Sequence, residues 1–306
     1  MKIIEPSVKE ITDFEGVDNF YKASARAARI CYASDKTTDD KELCERLIKS
    51  GHLSPFEHSV IYIPLYGKIR ELTRSLQVNF KNDYMIQFIN HIQESKYVVS
   101  TYNPSKQHYD LSINGRVIVE TITSLCATNK FFSSYIEALD FVLDNLKDYE
   151  IKLHNFKSFI VDTSIGCTRE MNRHHDNFYI CEQSTRYCNF SKDKFGNEVS
   201  FNKPYWFIDN PPSNFINLSP EEYEQELWKQ SMEFSEKMYL KAIEHEMPVD
   251  IARGILPLDT HTKAIYTATV EEWNHFIDLR FKGTTGKPHG DIKIIAEKIN
   301  NIINKE

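Results

Sequence analysis

Apolar side chains recur at three- and four-residue spacing through residues 17–33, VDNFYKASARAARICYA, which predicts a helix. Thr37, Thr38 and Asp39 are N-cap candidates for a second helix reaching about Ser50, and Gly51 stops it. The pattern then changes to HLSPFEHS followed by VIYIPL, a short β-rich run that predicts a buried strand. Residues 67–80 carry a helical pattern, and from Lys81 to about Gly115 the signals are mixed. Helices are predicted over 117–127 and 131–147, the second running into the charged KDYEIK. FKSFIVDT (156–163) reads as a second strand, and Ser164 through Arg173 has helical character. In YCNFSKDKFGNEVSFNKPYWF, Gly196 and Asn197 lie between two β-like runs, which predicts a hairpin. Residues 219–246 form a long helix with Ser219 as its cap, Pro220 in its first turn and early acids that suit the helix dipole. MPVDIARGILP is a shorter helix ended by Pro257, HTKAIYTAT a strand, VEEWNHFIDLRF a helix, and HGDIKIIAEKINNIIN a last helix. Long helices with isolated strands give an α+β class.

Composition narrows this only a little. The chain has 306 residues, 41% hydrophobic and 26% charged, enough for one large core or two modest ones. A net charge of −7 argues against a nucleic-acid polymer or an anionic membrane as partner, while leaving room for local basic clusters that bind small anions. No apolar run approaches the length of a bilayer span, and MKIIEPSVKEITDFEG shows no apolar signal segment. Six cysteines are scattered without a CxxC pair, so reduced thiols in a cytoplasmic protein are expected.

Three separated segments concentrate groups that suit an anionic, hydrogen-bonding ligand. The first is GHLSPFEHS, with His52, Ser54, Glu57 and His58. The second is RHHDNFYICEQSTRYCNF, residues 173–190. The third runs from ARGILPLDTHTK to DLRFKG and carries Arg253, Asp259 and Arg280. Glu182, Ser184 and Arg186 alternate at period two, so an extended chain would put a carboxylate, a hydroxyl and a guanidinium on one face. That set suits a phosphate joined to a polar ring, although a solvated edge strand shows the same spacing. Adjacent His174, His175 and Asp176 lack the spacing of a zinc site, so no metal is expected. Cys181 or Cys188 could pair with a histidine as a nucleophile, but nothing marks either as activated. With no GxGxxG or GxxxxGK[ST], a nucleotide would be held by Arg, His and Ser side chains.

In chain order, GHLSPFEHSV, then R-H-H…E-Q-S-T-R-Y, then A-R-G-I-L-P-L-D…W-N-H-F-I-D-L-R resemble the motifs of the flavin-dependent thymidylate synthases. The resemblance covers most of 16–65 and 156–300 and is weakest between Tyr66 and Asn155, as though a single 1–306 domain carried an insertion at about 66–155. It implies an α+β fold with a mixed or antiparallel sheet flanked by long helices, and a homotetramer with active sites where subunits meet. It further implies noncovalent FAD, with NADPH and methylenetetrahydrofolate as co-substrates, and conversion of dUMP to dTMP. By position, Glu182, Ser184, Arg186, Arg253 and Arg280 fall on nucleotide-binding places, with Arg280 also orienting the uracil as the catalytic residue. His52, Ser54, Glu57, Arg173, His174 and His175 fall on the flavin side, as do Glu182, Thr269 and His275.

Departures cluster on the cofactor side. His175 stands where the family's flavin motif has a third arginine, and the gap to Ser184 is one residue longer than usual. Thr269 and Glu271 replace an Asn and an Arg, and His289 a Gln. Two readings follow: a working, divergent synthase, or a paralogue that binds a pyrimidine nucleotide for a different flavin- or folate-linked modification or for binding alone.

Overall fold

A computed structural model describes residues 1–34, 38–66, 83–92, 98–104, 108–128, 131–146, 154–175, 178–209 and 219–305. Its centre is a four-stranded antiparallel sheet in the order β2-β6-β9-β7, formed by Ser7–Ile11, Phe156–Ser164, His261–Thr269 and Tyr179–Glu182. The two central strands pair over nine residues, from Phe156 opposite Thr269 to Ser164 opposite His261. HTKAIYTAT is buried at six of its nine positions because both faces of the strand are covered. On one face Phe159, Val161 and Tyr266 pack on Trp273, Phe276, Ile292, Ile295 and Ile299. These come from helices Val270–Ile277 and Gly290–Ile303. On the other, Ile265 and Cys181 meet Ala27 and Ile30 of helix Phe20–Tyr32.

Most predicted elements outside 66–155 appear at close to their expected ranges, although the helix expected over MPVDIARGILP is only Val249–Ala252 followed by a 3-10 turn. Asp39 caps helix Asp40–Ser50 by accepting from the Lys41 and Glu42 amides, and Gly51 ends it at φ 72°. Ser219 and Glu222 form a reciprocal capping box on helix Pro220–Glu244. That helix buries Trp228, Met232 and Tyr239 against a small parallel pair, β1 (Lys2–Ile4) and β8 (Ser200–Asn202).

The stretch of mixed signals holds helix Asp83–Ile92 and strands β4 (Val98–Asn103) and β5 (His108–Asn114). β5 pairs along the whole of β3 (Val60–Tyr66), forming a second antiparallel sheet in the order β3-β5-β4. Helices Gly115–Thr128 and Tyr135–Leu146 close its core around Tyr84, Phe88, Ile118 and Leu139. At Gly115 a side chain is excluded, since its Cβ would lie 2.8 Å from the Phe56 carbonyl oxygen. The helix expected over 67–80 and the KDYEIK run lie outside the described residues.

Two expectations are corrected. The hairpin around Gly196–Asn197 does not form: the run from Tyr187 that precedes it is turn and loop rather than strand, while β8 pairs in parallel with β1. Gly196 instead ends a single 3-10 turn, Asp193–Phe195, in the left-handed conformation. Nor does the extended strand reach Arg186. It stops at Glu182, and the chain turns over 185–187, with the Cys188 amide donating to the Ser184 carbonyl at 2.9 Å.

Candidate active site

Helix Ile165–Met171 and the 3-10 turn Asn172–His174 that continues it stand between two clefts. Ile165, Arg169 and Asn172 line one, while Arg173 and His174 line the other.

The first cleft, about 680 Å³, gathers Glu182, Ser184, Arg186 and Arg253. β7 carries Glu182 to the cleft at its last residue. Its Oε1 accepts from the Thr168 hydroxyl at 2.8 Å and its Oε2 from the Asn172 amide at 3.4 Å. Tyr266 donates its hydroxyl to Asn172 Oδ1 at 2.8 Å, which fixes the amide with its nitrogen toward Glu182. Burial pushes the Glu182 carboxyl above the usual range, and the Thr168 and Asn172 bonds together with the Arg169 charge offset this in part. Ser184 is held by its amide on the Cys31 carbonyl at 2.8 Å, and its Oγ accepts from the Arg186 amide at 3.3 Å. Arg186 is exposed, with its guanidinium 5.6 Å from the Tyr187 ring centre. Arg253 opens the 3-10 turn Arg253–Ile255 and is also exposed. Arg186 and Arg253 have no acidic partner among the described residues, so the cleft holds two uncompensated guanidinium groups beside a half-buried acceptor on which the Arg169 charge already acts. Such a set takes a phosphate at one end and a ring N–H at the other.

The second cleft, about 470 Å³, gathers Arg173, His174, His275, Arg280 and Lys287. Arg280 sits on a π-helical turn, Asp278–Lys282, that widens the end of helix Val270–Ile277. Its guanidinium donates to Glu170 Oε2 at 3.2 Å, to the Glu170 carbonyl at 3.4 Å and to His174 Nε2 at 3.4 Å. Because Nε2 accepts, His174 carries its proton on Nδ1. Burial, with the Arg280, His275 and Arg173 charges adding to it, lowers the His174 pKa to about 4, so the ring is neutral at pH 7. Arg280 therefore lines a different cleft from Arg186 and Arg253.

The remaining expected residues lie outside both clefts. His52 Nδ1 is 3.0 Å from the Tyr32 hydroxyl, and Ser54 is exposed at the start of the turn Ser54–His58. Glu57 accepts from Arg116 at 2.7 Å, so the 66–155 region reaches the expected flavin side through Arg116. His58, fully buried, sits 2.9 Å from Thr267 Oγ1, and burial alone lowers its pKa to about 3. Thr269 caps helix Val270–Ile277 by accepting from the Glu272 amide at 3.3 Å. Glu271, exposed in that helix's first turn, suits the positive end of its dipole. His175 is exposed, and Asp176 lies outside the described residues. Asp259 accepts from Trp228 Nε1 at 2.6 Å, a packing role. Among the described residues no cluster of three His, Cys, Asp or Glu side chains could hold a metal ion, and no helix is long and apolar enough to cross a membrane.

Sequence reasoning missed Arg169, Asn172 and Thr168. Their signal was present in the helical register: 165, 168, 169 and 172 share one face, the face that meets Glu182.

The family described as "Thymidylate synthase complementing protein" matches residues 17–78 and 106–306, passing over 79–105. A probable flavin-dependent thymidylate synthase of Paramecium bursaria Chlorella virus 1 is 28% identical over 151 residues, 47% of this chain and 65% of that protein. The chain thus spans just under two thirds of that viral relative. The flavin-dependent thymidylate synthase of Aquifex aeolicus (strain VF5) is 25% identical over 308 residues, 91% of this chain and 92% of that one. Among solved structures, a UMP/dUMP methylase PolB from Streptomyces cacaoi bound with 5-Br dUMP is 16% identical. It covers 100% of this chain and 93% of that chain with a TM-score of 0.43.

Proposed function

This chain belongs to the thymidylate synthase complementing family, the flavin-dependent thymidylate synthases, and we propose that it methylates dUMP to dTMP in the cytoplasm. The observation that carries this reading is the first cleft, where Glu182, Ser184, Arg186 and Arg253 lie together. Arg186 and Arg253, with Arg169 beside them, take the phosphate, and Glu182 accepts from the pyrimidine ring N–H. Thr168 and Asn172 hold that carboxylate in place before the substrate arrives, so its orientation costs nothing on binding.

The second cleft fits an anionic cofactor. Arg173 and Lys287 bring charge with no acidic partner among the described residues, and Arg280 adds a guanidinium anchored by Glu170. FAD would be held by Arg173, His174, His175 and His275 with His52, Ser54, Glu57 and Glu182, and Thr269 supports that side by capping its helix. When bound, FAD reduced by NADPH supplies a hydride, and methylenetetrahydrofolate supplies the carbon. His174, neutral at pH 7, keeps Arg280 aimed by accepting its Nε–H and adds no competing positive charge. In the homotetramer the second cleft of one protomer completes the first cleft of its neighbour, so Arg280 reaches the pyrimidine there. The chain forms one 1–306 domain, with the 66–155 region inserted and tied in through Arg116 and Glu57.

The purified protein should be yellow, with a flavin absorption band. It should release tritium from C5-labelled dUMP when given NADPH and methylenetetrahydrofolate. A colourless protein that binds dUMP but releases no tritium even with added FAD would remove the synthase reading and leave a nucleotide-binding paralogue.

A further inference from the structure

A third cavity, about 740 Å³, is larger than either cleft and adjoins the first through Gln183. Six cations line it: Lys2, Lys22, Arg26, Arg29, Lys194 and Lys263. Their charges are unevenly compensated. Arg29 is committed to Asp40 at 2.7 Å and to the Thr38 carbonyl at 2.8 Å. Lys263 lies 3.3 Å from Asp162. Lys22 and Arg26, however, share the single carboxylate of Asp13, each at 2.6 Å. Lys194 spends its bonds on the neutral Tyr32 and Ala33 carbonyls, at 3.4 and 3.0 Å. Lys2 has no acidic partner among the described residues. Of the two lining acids, Asp40 is the partner of Arg29, and Glu198 lies 3.7 Å from the N-terminal amine.

Positive charge is thus left over at three separate places, on β1, on helix Phe20–Tyr32 and at Lys194. Both arginine forks are already occupied. What remains is mostly ammonium groups spread along the walls, without the convergent forks that grip one phosphate. Spaced point charges suit a ligand whose negative groups are themselves spaced along a flexible chain. Ile4, Ile30, Phe190 and Phe195 give that chain apolar wall between the charges.

The cavity's neighbours indicate which chain. Gln183 lines both this cavity and the nucleotide cleft. On the other side Lys194 is anchored on the carbonyl of Tyr32, whose hydroxyl meets His52 on the flavin side. We propose that this cavity binds the γ-linked oligoglutamyl tail of the folate co-substrate, a row of separate carboxylates. The proposal rests on the synthase reading above.

The test has two arms, both on the purified, assembled protein. In the first, free γ-linked pentaglutamate, which carries no pteridine, is titrated against wild type and against Lys2→Gln combined with Lys22→Gln. Wild type should bind it, more weakly as salt rises, and the double variant should bind about three- to tenfold more weakly, as expected for exposed ion pairs. A second variant, Lys194→Gln, with an unchanged thermal melt should show a loss of the same kind. In the second arm, KM should be lower for the pentaglutamyl than for the monoglutamyl donor in wild type. The double variant should lose that difference with kcat unchanged. Absence of pentaglutamate binding, or equal binding of inorganic pyrophosphate, overturns the assignment, the latter in favour of a phosphate site. Active enzyme with no dependence on tail length overturns it too. No turnover with either donor sinks the synthase reading instead, while the binding arm still decides the cavity.

Discussion

The two clefts on either side of residues 165–174 are built on opposite plans. In the first, the key group is a carboxylate, Glu182, held by neutral donors, with unpaired guanidinium groups around it. In the second, the key group is a guanidinium, Arg280, held by a carboxylate and a neutral imidazole. One cleft presents a fixed acceptor and free cations; the other presents a cation whose own partner is internal. A pyrimidine monophosphate needs both plans at once, an acceptor for the ring and guanidinium groups for the phosphate. The first cleft has both, and what the second adds is a further guanidinium, Arg280, already aimed by its own internal partners.

The sharpest way to break this comparison is to disable each cleft separately and then mix. Arg186→Ala and Arg280→Ala should each cost about 1.5–3 kcal/mol in dUMP binding, the loss of one charge-assisted bond, or roughly ten- to 150-fold in Kd. If the clefts of neighbouring protomers complement each other, co-assembled 1:1 hybrids of the two variants regain activity in about a quarter of the sites, those built from the intact cleft of each parent. Hybrids no better than the average of their parents would show that each protomer works alone. Glu182→Gln should produce a loss of similar size that no mixing with Arg186→Ala repairs, because both changes sit in the same cleft.

The clefts also titrate in opposite senses. His174 has its pKa lowered from 6.5 to about 4, so the folded state binds fewer protons than the unfolded chain in that window. Its contribution to stability is complete above pH 6.5 and is lost as pH falls toward 4. Since the ring is only half-buried, that loss should be under about 1 kcal/mol after screening by solvent. Glu182 has its pKa raised by burial, so its folded state binds more protons just above pH 4.5, and stability declines there as pH rises. Urea unfolding between pH 7 and 4 should therefore show less acid sensitivity in His174→Gln than in wild type, and more in Glu182→Gln. The same direction of change in both variants would contradict the assignment of opposite environments.

The legible part of the fold was the part with a single strong period. HTKAIYTAT, the Asp39–Gly51 frame and the Ser219 cap each carry their own start and stop signals. Residues 81–115 defeated that reading because a helix and two strands follow one another within about thirty residues, none long enough to establish a period. The hairpin was misread because Gly196–Asn197 supplies real turn chemistry, but the run before it forms no strand and the run after it finds its partner in β1. Local spacing could not show this. The first cleft was half legible: Glu182, Ser184 and Arg186 were singled out for the right company, yet on the wrong geometry. What brings them together is the turn at 185–187 and the Cys31 carbonyl that catches Ser184, both nonlocal facts.

Thr269 gives the smallest and most discriminating test of the second cleft. The family resemblance places it among cofactor-binding positions, whereas its Oγ1 is already engaged in capping helix Val270–Ile277 through the Glu272 amide. Both roles concern the same cleft, since that helix carries His275 and leads into the turn bearing Arg280. Thr269→Ala should lower stability by about 1 kcal/mol, the usual cost of an N-cap, and Thr269→Asp should restore it. If the threonine acts only as a cap, FAD affinity follows stability: weakened in the alanine variant and recovered in the aspartate one. A carboxylate in direct contact with an anionic cofactor would repel it, so an aspartate variant that is stable yet loses FAD would place Thr269 against the cofactor itself. Fluorescence titration with FAD beside a urea melt separates these outcomes, and the capping geometry predicts that the two measurements move together.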